Sequence, residues 1–238
     1  MRTLGVIGGL GPMATAFFMQ MVIEMTKADR DQEHIEMLIH NCPSIPDRTS
    51  YIVGASEENP MQPMADIGKW LAENGADVIA IPCITASYFF EELSSMIPVP
   101  IINIIEETAL YLVEHKIDTV GLMATDGTVQ SGLFQKALQE RGIRVILPKA
   151  EGQKDVMHLI YKNVKATKPV EMERFERVSQ ELKDAGAQVI ILGCTELSMI
   201  RRDEKIGAGY LDAMQVLAKC SVELCGSLKE EYRQLITK

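Results

Sequence analysis

Two segments of the chain, Ala76-Asp-Val-Ile-Ala-Ile-Pro-Cys-Ile-Thr85 and Ala187-Gln-Val-Ile-Ile-Leu-Gly-Cys-Thr-Glu196, share one apolar build, and each ends on a cysteine followed closely by a threonine. A thiol titrates near pH ~8.5 in isolation and lower at a helix N-terminus or beside a cation, so Cys83 and Cys194 are candidate acid/base groups. One such cysteine alone reads as a small buried apolar residue. Two in equivalent settings point to a shared task. Facing each other across a cleft, matched thiols suit removal of a proton from one side of a carbon and delivery of another to the opposite side, because each must act as base in one direction and acid in the other. That chemistry is racemisation or epimerisation.

Around the thiols stand residues that can hold a charged substrate. Thr85 and Thr195 carry hydroxyls able to bind a carboxylate or orient the sulfurs, the alternative being ordinary β-branched packing at a strand end. Glu196 can capture an ammonium, orient Cys194, or cap its own helix. Arg48, in the loop Cys42-Pro-Ser-Ile-Pro-Asp-Arg48, has the planar fork that grips a carboxylate, against the alternative of a surface Asp-Arg turn. Lys165 is one of three neighbouring lysines and by itself reads as a solvated helix end. Of the remaining thiols, Cys42, Cys220 and Cys225 read as packing residues. His34, His40, His115 and His158 show no metal-ligand spacing, and no metal is expected.

The elements that must position these groups repeat. Each cysteine-bearing run is β-branched, follows a Gly-Ala step, and has the length of a strand buried on both faces, so both thiols are expected at carboxyl ends of parallel strands, the edge where open α/β sheets bind ligands. Leu4-Gly-Val-Ile-Gly-Gly-Leu-Gly-Pro-Met-Ala-Thr15 reads as strand, glycine turn and helix start, with Pro12 in the first helical turn and Gly11 and Met13 on the ligand side. Its counterpart is Thr119-Val-Gly-Leu-Met-Ala-Thr-Asp-Gly-Thr128, which offers Thr128 at the equivalent turn. Strands over 35–41 and 143–147 and helices over 63–74 and 169–185 complete the βαβ units. The predicted fold is α/β: two pseudosymmetric, doubly wound domains, each with a mostly parallel sheet, and an active site in the cleft between them. The first domain comprises 1–105 plus 209–238, and the second 106–208. A terminal helix is expected over 210–228, packing back across the first half.

Composition narrows the partners. The 238 residues are 47% hydrophobic and 24% charged with a net charge of −9, and their basic residues form no stripe, which argues against nucleic acid. The longest apolar stretch, near 78–90, is broken by Pro82, Thr85 and Ser87 and is too short for a membrane span. Five cysteines without a close pair point to free thiols, and the start of the chain has no signal-type segment, so a cytoplasmic protein is expected.

Gly-Gly-Leu-Gly-Pro-Met near the start, Ile-Pro-Asp-Arg48, Pro-Cys83-x-Thr85-Ala, the Ala-Thr-Asp-Gly-Thr128 turn and Gly-Cys194-Thr195-Glu196-Leu resemble the cofactor-independent aspartate/glutamate racemases, in their aspartate racemase branch, over almost the whole chain. The resemblance implies a homodimeric enzyme that interconverts L- and D-amino acids without pyridoxal phosphate or metal. It makes Cys83 and Cys194 the two acid/base thiols, Arg48 the binder of the substrate's side-chain carboxylate, and Lys165 its helper from the second domain. The chain departs from the family's Pro-Cys-Asn-Thr-Ala-His at Ile84 and Ser87, which puts the identity of the substrate amino acid in question.

Three other readings compete. Gly9-Leu-Gly11-Pro-Met-Ala14 fits a variant of the dinucleotide fingerprint, but the second strand ends His40-Asn41-Cys42 without the acid that holds a ribose. An amino-acid-binding protein without turnover fits the altered first motif. A single-thiol isomerase or decarboxylase is disfavoured by the intact pair.

Overall fold

The computed structural model describes residues 2–238. Its first half runs β1 (Leu4–Gly8), α1 (Pro12–Met25), β2 (Met37–Asn41), α2 (Arg48–Ile52), α3 (Met61–Glu73), β3 (Val78–Ala80), α4 (Phe90–Met96) and α5 (Ile104–Glu114). The second half runs β4 (Thr119–Ala124), α6 (Asp126–Ser131), α7 (Leu133–Gln139), β5 (Arg144–Ile146), α8 (Ala150–His158), α9 (Met172–Asp184), β6 (Val189–Gly193), α10 (Thr195–Asp203), β7 (Tyr210–Asp212) and α11 (Ala213–Cys225).

The fold is α/β with two fully parallel sheets, ordered β2-β1-β3 and β5-β4-β6-β7. In each, the first strand of its half lies between the second and third, as the repeated sequence pattern predicts. The match extends further: Ile101 forms a parallel bridge to Ile79 beyond β3, where the second sheet has β7 beyond β6. Strands β1, β3 and β6 are buried along their full length, which is why they read as unbroken apolar runs.

One expectation is corrected. Tyr210–Asp212 begins no helix; it is strand β7, paired in parallel with β6 from Ile190↔Tyr210 to Leu192↔Asp212. Tyr-Leu-Asp is apolar enough to continue the helical pattern that follows it, so periodicity misses the boundary. What ends the strand is Asp212, whose side chain accepts from the Met214 amide and caps α11.

The last helix of each half crosses over. α5 packs on α7, and α11 packs on both α1 and α5. A single apolar core therefore holds Val6 and Phe18 of the first half together with Leu122 and Phe134 of the second and Leu217 of α11. Separate apolar layers lie on the outer faces, around Met64 and Leu71 in the first half and around Phe175 and Leu182 in the second. The shared core fixes the two sheets against one another and brings their carboxyl edges to a common cleft. Among the described residues no helix is long and apolar enough to cross a membrane.

Candidate active site

Cys194 follows β6 directly, and Cys83 follows β3 after Ile81 and Pro82. Cys83 and Cys194 occupy extended positions (φ −156°, ψ 104° and φ −149°, ψ 137°) immediately before a helix, a 3-10 turn over Ile84–Phe89 for the first and α10 for the second. Both are buried. They line one small chamber with Leu10, Asp47, Arg48, Thr85, Tyr161, Lys165, Thr195 and Glu196. Its free volume is about 10 Å³, roughly enough for one water and far short of an amino acid.

Outside it lies a larger vestibule of about 480 Å³, walled by Gly11, Met13, Ile45, Val164 and Met199. Asp47, Arg48, Lys165 and Glu196 border both rooms and form the partition between them.

The thiols are flanked by opposite charges. Cys194 Sγ donates to Glu196 Oε2 at 2.9 Å, and Thr195 Oγ1 donates to the same oxygen at 3.3 Å. Burial, together with the charge and hydrogen bond of Glu196, pushes the Cys194 pKa well above its ordinary value, so the thiol keeps its proton. On the other side, burial disfavours the Arg48 charge, but Cys83 beside it, with Asp47 and Glu196, holds the guanidinium firmly ionised.

Arg48 is the first residue of α2, behind the Asp47 cap that accepts from the Ser50 amide at 2.8 Å. The residue is 6% exposed, and its guanidinium donates to the carbonyls of Ile45 (3.2 Å), Pro46 (2.9 Å) and Leu10 (3.0 Å). The alternative of a surface Asp-Arg turn is thereby excluded. Its Nε has no partner, an unmet donor of the kind a buried site completes with a ligand.

Lys165 reaches the cleft from the end of a π-helical stretch, Leu159–Val164. Its Nζ lies 3.6 Å from Asp47 Oδ2, 3.9 Å from Glu196 Oε1 and over the Tyr161 ring. Burial opposes its charge, and Glu196, Tyr161, Cys194 and Asp47 more than offset this, so its pKa lies above the ordinary value. This is not a solvated helix end.

Thr85 lies with Thr128 and Thr125 in a triangle of buried hydroxyls, with Oγ1 separations of 3.0 Å to Thr125, 3.1 Å to Thr128, and 3.1 Å between those two. The triangle joins the two halves beside the chamber. Gly11 and Met13 border the vestibule, not the chamber, and Met13 is exposed. A side chain at Gly11 would meet only Glu196 Oε1 at 3.7 Å, whereas at Gly9 (φ +92°) it would lie 2.3 Å from the Cys42 backbone. Gly9 is the position where the loop cannot take a Cβ.

Three residues of the site were not singled out in the sequence. Asp47 carries only the pattern of an Asp-Arg turn, and Thr125 and Tyr161 carry no signal beyond their nearness in sequence to Thr128 and Lys165. The spacing of Tyr161 and Lys165, one helical turn, was the available signal. Of the two departures from the family motif, Ile84 borders the chamber, but Ser87 lines a separate groove with Glu91, Asn103 and Lys136. Among the described residues no three His, Cys, Asp or Glu side chains group as a metal site would require.

A pair of parallel α/β sheets with a buried thiol at each facing edge, flanked by one carboxylate and one guanidinium, defines the class as a two-thiol open α/β protein with its site between sheets. The chain belongs to the family described as Asp/Glu/Hydantoin racemase, which matches residues 7–220, and it is an isomerase of the amino-acid racemase type. It is similar to the broad specificity amino-acid racemase RacX of Bacillus subtilis, at 28% identity over 229 residues covering 92% of this chain and 96% of that one. A glutamate racemase of Aquifex aeolicus is 27% identical over 172 residues, 69% of this chain and 65% of its own. Among solved structures, the aspartate racemase of Picrophilus torridus superposes with a TM-score of 0.86 at 30% identity, covering 98% of both chains.

Proposed function

We propose that the protein interconverts the L- and D-forms of an acidic amino acid by transferring protons at Cα between Cys83 and Cys194. The observation that carries this reading is the pairing of two buried thiols in the same backbone setting within one chamber. In the starting state Cys194 holds its proton against Glu196, while Cys83 faces the Arg48 cation. Cys83, as thiolate, takes the α-proton; the C–H electron pair is delocalised into the α-carboxylate; Cys194 then delivers its proton to the opposite face. The reverse reaction exchanges the roles.

An acidic side chain is supported by Arg48, whose buried Nε lacks a partner, and by Lys165 beside it. The aspartate racemase of Picrophilus torridus is so named for that substrate, whereas RacX is named for broad specificity. Apolar Met13, Ile45, Val164 and Met199 around the vestibule favour the second reading, a wider range of side chains. We also propose the division into two units, 1–105 with the terminal segment and 106–208, with strand Tyr210–Asp212 completing the second sheet. A cytoplasmic setting is supported by five free cysteines, and a homodimer by the exposed Met13, Met19 and Ile23 of α1.

The test is proton NMR of the purified protein in D2O with each common L- and D-amino acid, following the α-proton. Exchange that requires both thiols supports the two-base reaction and names its substrate. Ligand-induced stabilisation without exchange of any amino acid would instead identify a binding protein.

A further inference from the structure

The partition between chamber and vestibule holds two cations and two anions, Arg48, Lys165, Asp47 and Glu196. The nearest carboxylate oxygen to Lys165 Nζ across the partition is Asp47 Oδ2, at 3.6 Å, contributed by the loop that also carries Arg48. Asp47 therefore occupies, beside Lys165 and within the electrostatic reach of Arg48, the kind of position that a substrate's side-chain carboxylate would need.

We infer that Asp47 is a specificity-determining residue: a built-in stand-in for the substrate's side-chain carboxylate that closes the partition when the site is empty and is displaced from Lys165 when an acidic amino acid enters. This rests on the acidic-substrate reading above. Two features make the exchange feasible. The chamber, at about 10 Å³, cannot admit an amino acid unless the partition parts, and the Asp47–Lys165 contact bridges the two halves at that point. Once released, the Asp47 carboxylate also keeps other partners: the Ser50 amide at 2.8 Å, the Ser50 hydroxyl at 3.1 Å and the Tyr161 hydroxyl at 3.2 Å to each oxygen. No buried acceptor is orphaned, so the exchange avoids the penalty that would otherwise oppose it.

Tyr161 has a defined part in this arrangement. Its hydroxyl, its pKa pushed up to about 12 chiefly by burial, remains a donor at all physiological pH and anchors Asp47 from the second half. The same ring lies under the Lys165 ammonium and keeps it in the cleft when its carboxylate partner changes.

The experiment compares wild type, Asp47→Asn, Lys165→Gln and the double variant by titration calorimetry with succinate, which has two carboxylates and no α-amino group, and with propionate, which has one. Asparagine is as good a helix cap as aspartate, so α2 is preserved. Asp47→Asn is expected to tighten succinate binding about two- to fivefold, the range for a partly exposed ion pair, and to leave propionate unchanged. In the Lys165→Gln background the same substitution is expected to have no effect. The KM for L-aspartate should fall by a similar factor in Asp47→Asn.

Weaker or unchanged succinate binding in Asp47→Asn, or equal tightening with and without Lys165, would overturn the assignment. The racemase reading is judged separately, by α-proton exchange in the wild type.

Discussion

The Cys194 thiol donates to the Glu196 carboxylate at 2.9 Å inside the small chamber it shares with Cys83, so the proton on this sulfur is held by a neighbour two residues along the same helix start. A helix N-terminus ordinarily lowers a thiol pKa. Here the adjacent carboxylate and burial outweigh that effect.

Glu196→Gln removes the opposing charge and keeps the shape. The Cys194 titration is expected to move to lower pH, read as ultraviolet thiolate absorbance by difference from a Glu196→Gln/Cys194→Ala control. An unmoved titration would show that burial alone retains the proton.

Stability should fall at alkaline pH. The folded pKa of Cys194 lies above its unfolded value of ~8.5, so its contribution is fully present below pH ~8.5 and is lost as pH rises towards the folded pKa. Burial raises Cys220 and Cys225 in the same sense. Tm measured against pH is expected to decline above pH ~8.5, and less steeply in Cys194→Ala.

Replacing either thiol by serine, with a hydroxyl too weak an acid to exchange roles at neutral pH, is expected to lower racemisation by about 10²-fold or more. Because the shape is kept, Tm should change by only a few degrees. Polarimetry and thermal melting together separate lost chemistry from lost fold. A variant that racemises at near wild-type rate would remove that cysteine from the mechanism.

The hydroxyl triangle gives a graded pair of variants. Thr85→Val removes one member and is expected to cost about 1 kcal/mol in urea unfolding. Thr125→Val also removes the cap whose oxygen accepts from the Thr128 amide, and is expected to cost about 1–2 kcal/mol more. Equal losses would mean that the cap contributes nothing.

Gly9→Ala places a Cβ 2.3 Å from the Cys42 backbone at φ +92°, so β1 and the loop after β2 must separate. Its melting temperature should drop well below that of Gly75→Ala, which has φ +100° but open space around it. The comparison isolates the close approach from the backbone conformation.

The sequence alone determined the two-fold strand, turn and helix plan, because fully buried parallel strands must be unbroken apolar runs and β1, β3, β4 and β6 carry that pattern themselves. It also determined where the thiols leave their strands, since Cys83 and Cys194 follow those runs. What it did not determine was anything set by contacts between distant segments. Tyr210–Asp212 is a strand only because β6 offers it an edge; its three residues have no period of their own. The loop pattern around Arg48 leaves a surface turn open as an alternative; it is Leu10, remote in sequence, that supplies a carbonyl, and the chamber that buries the side chain. Asp47, Thr125 and Tyr161 acquired their partners across the cleft, from Lys165, Thr85 and Asp47 respectively. Strand and helix patterns are written by local burial, which a sequence displays. The charge balance around two thiols depends on which side chains meet across the gap between sheets, and only the packing of the shared core decides that.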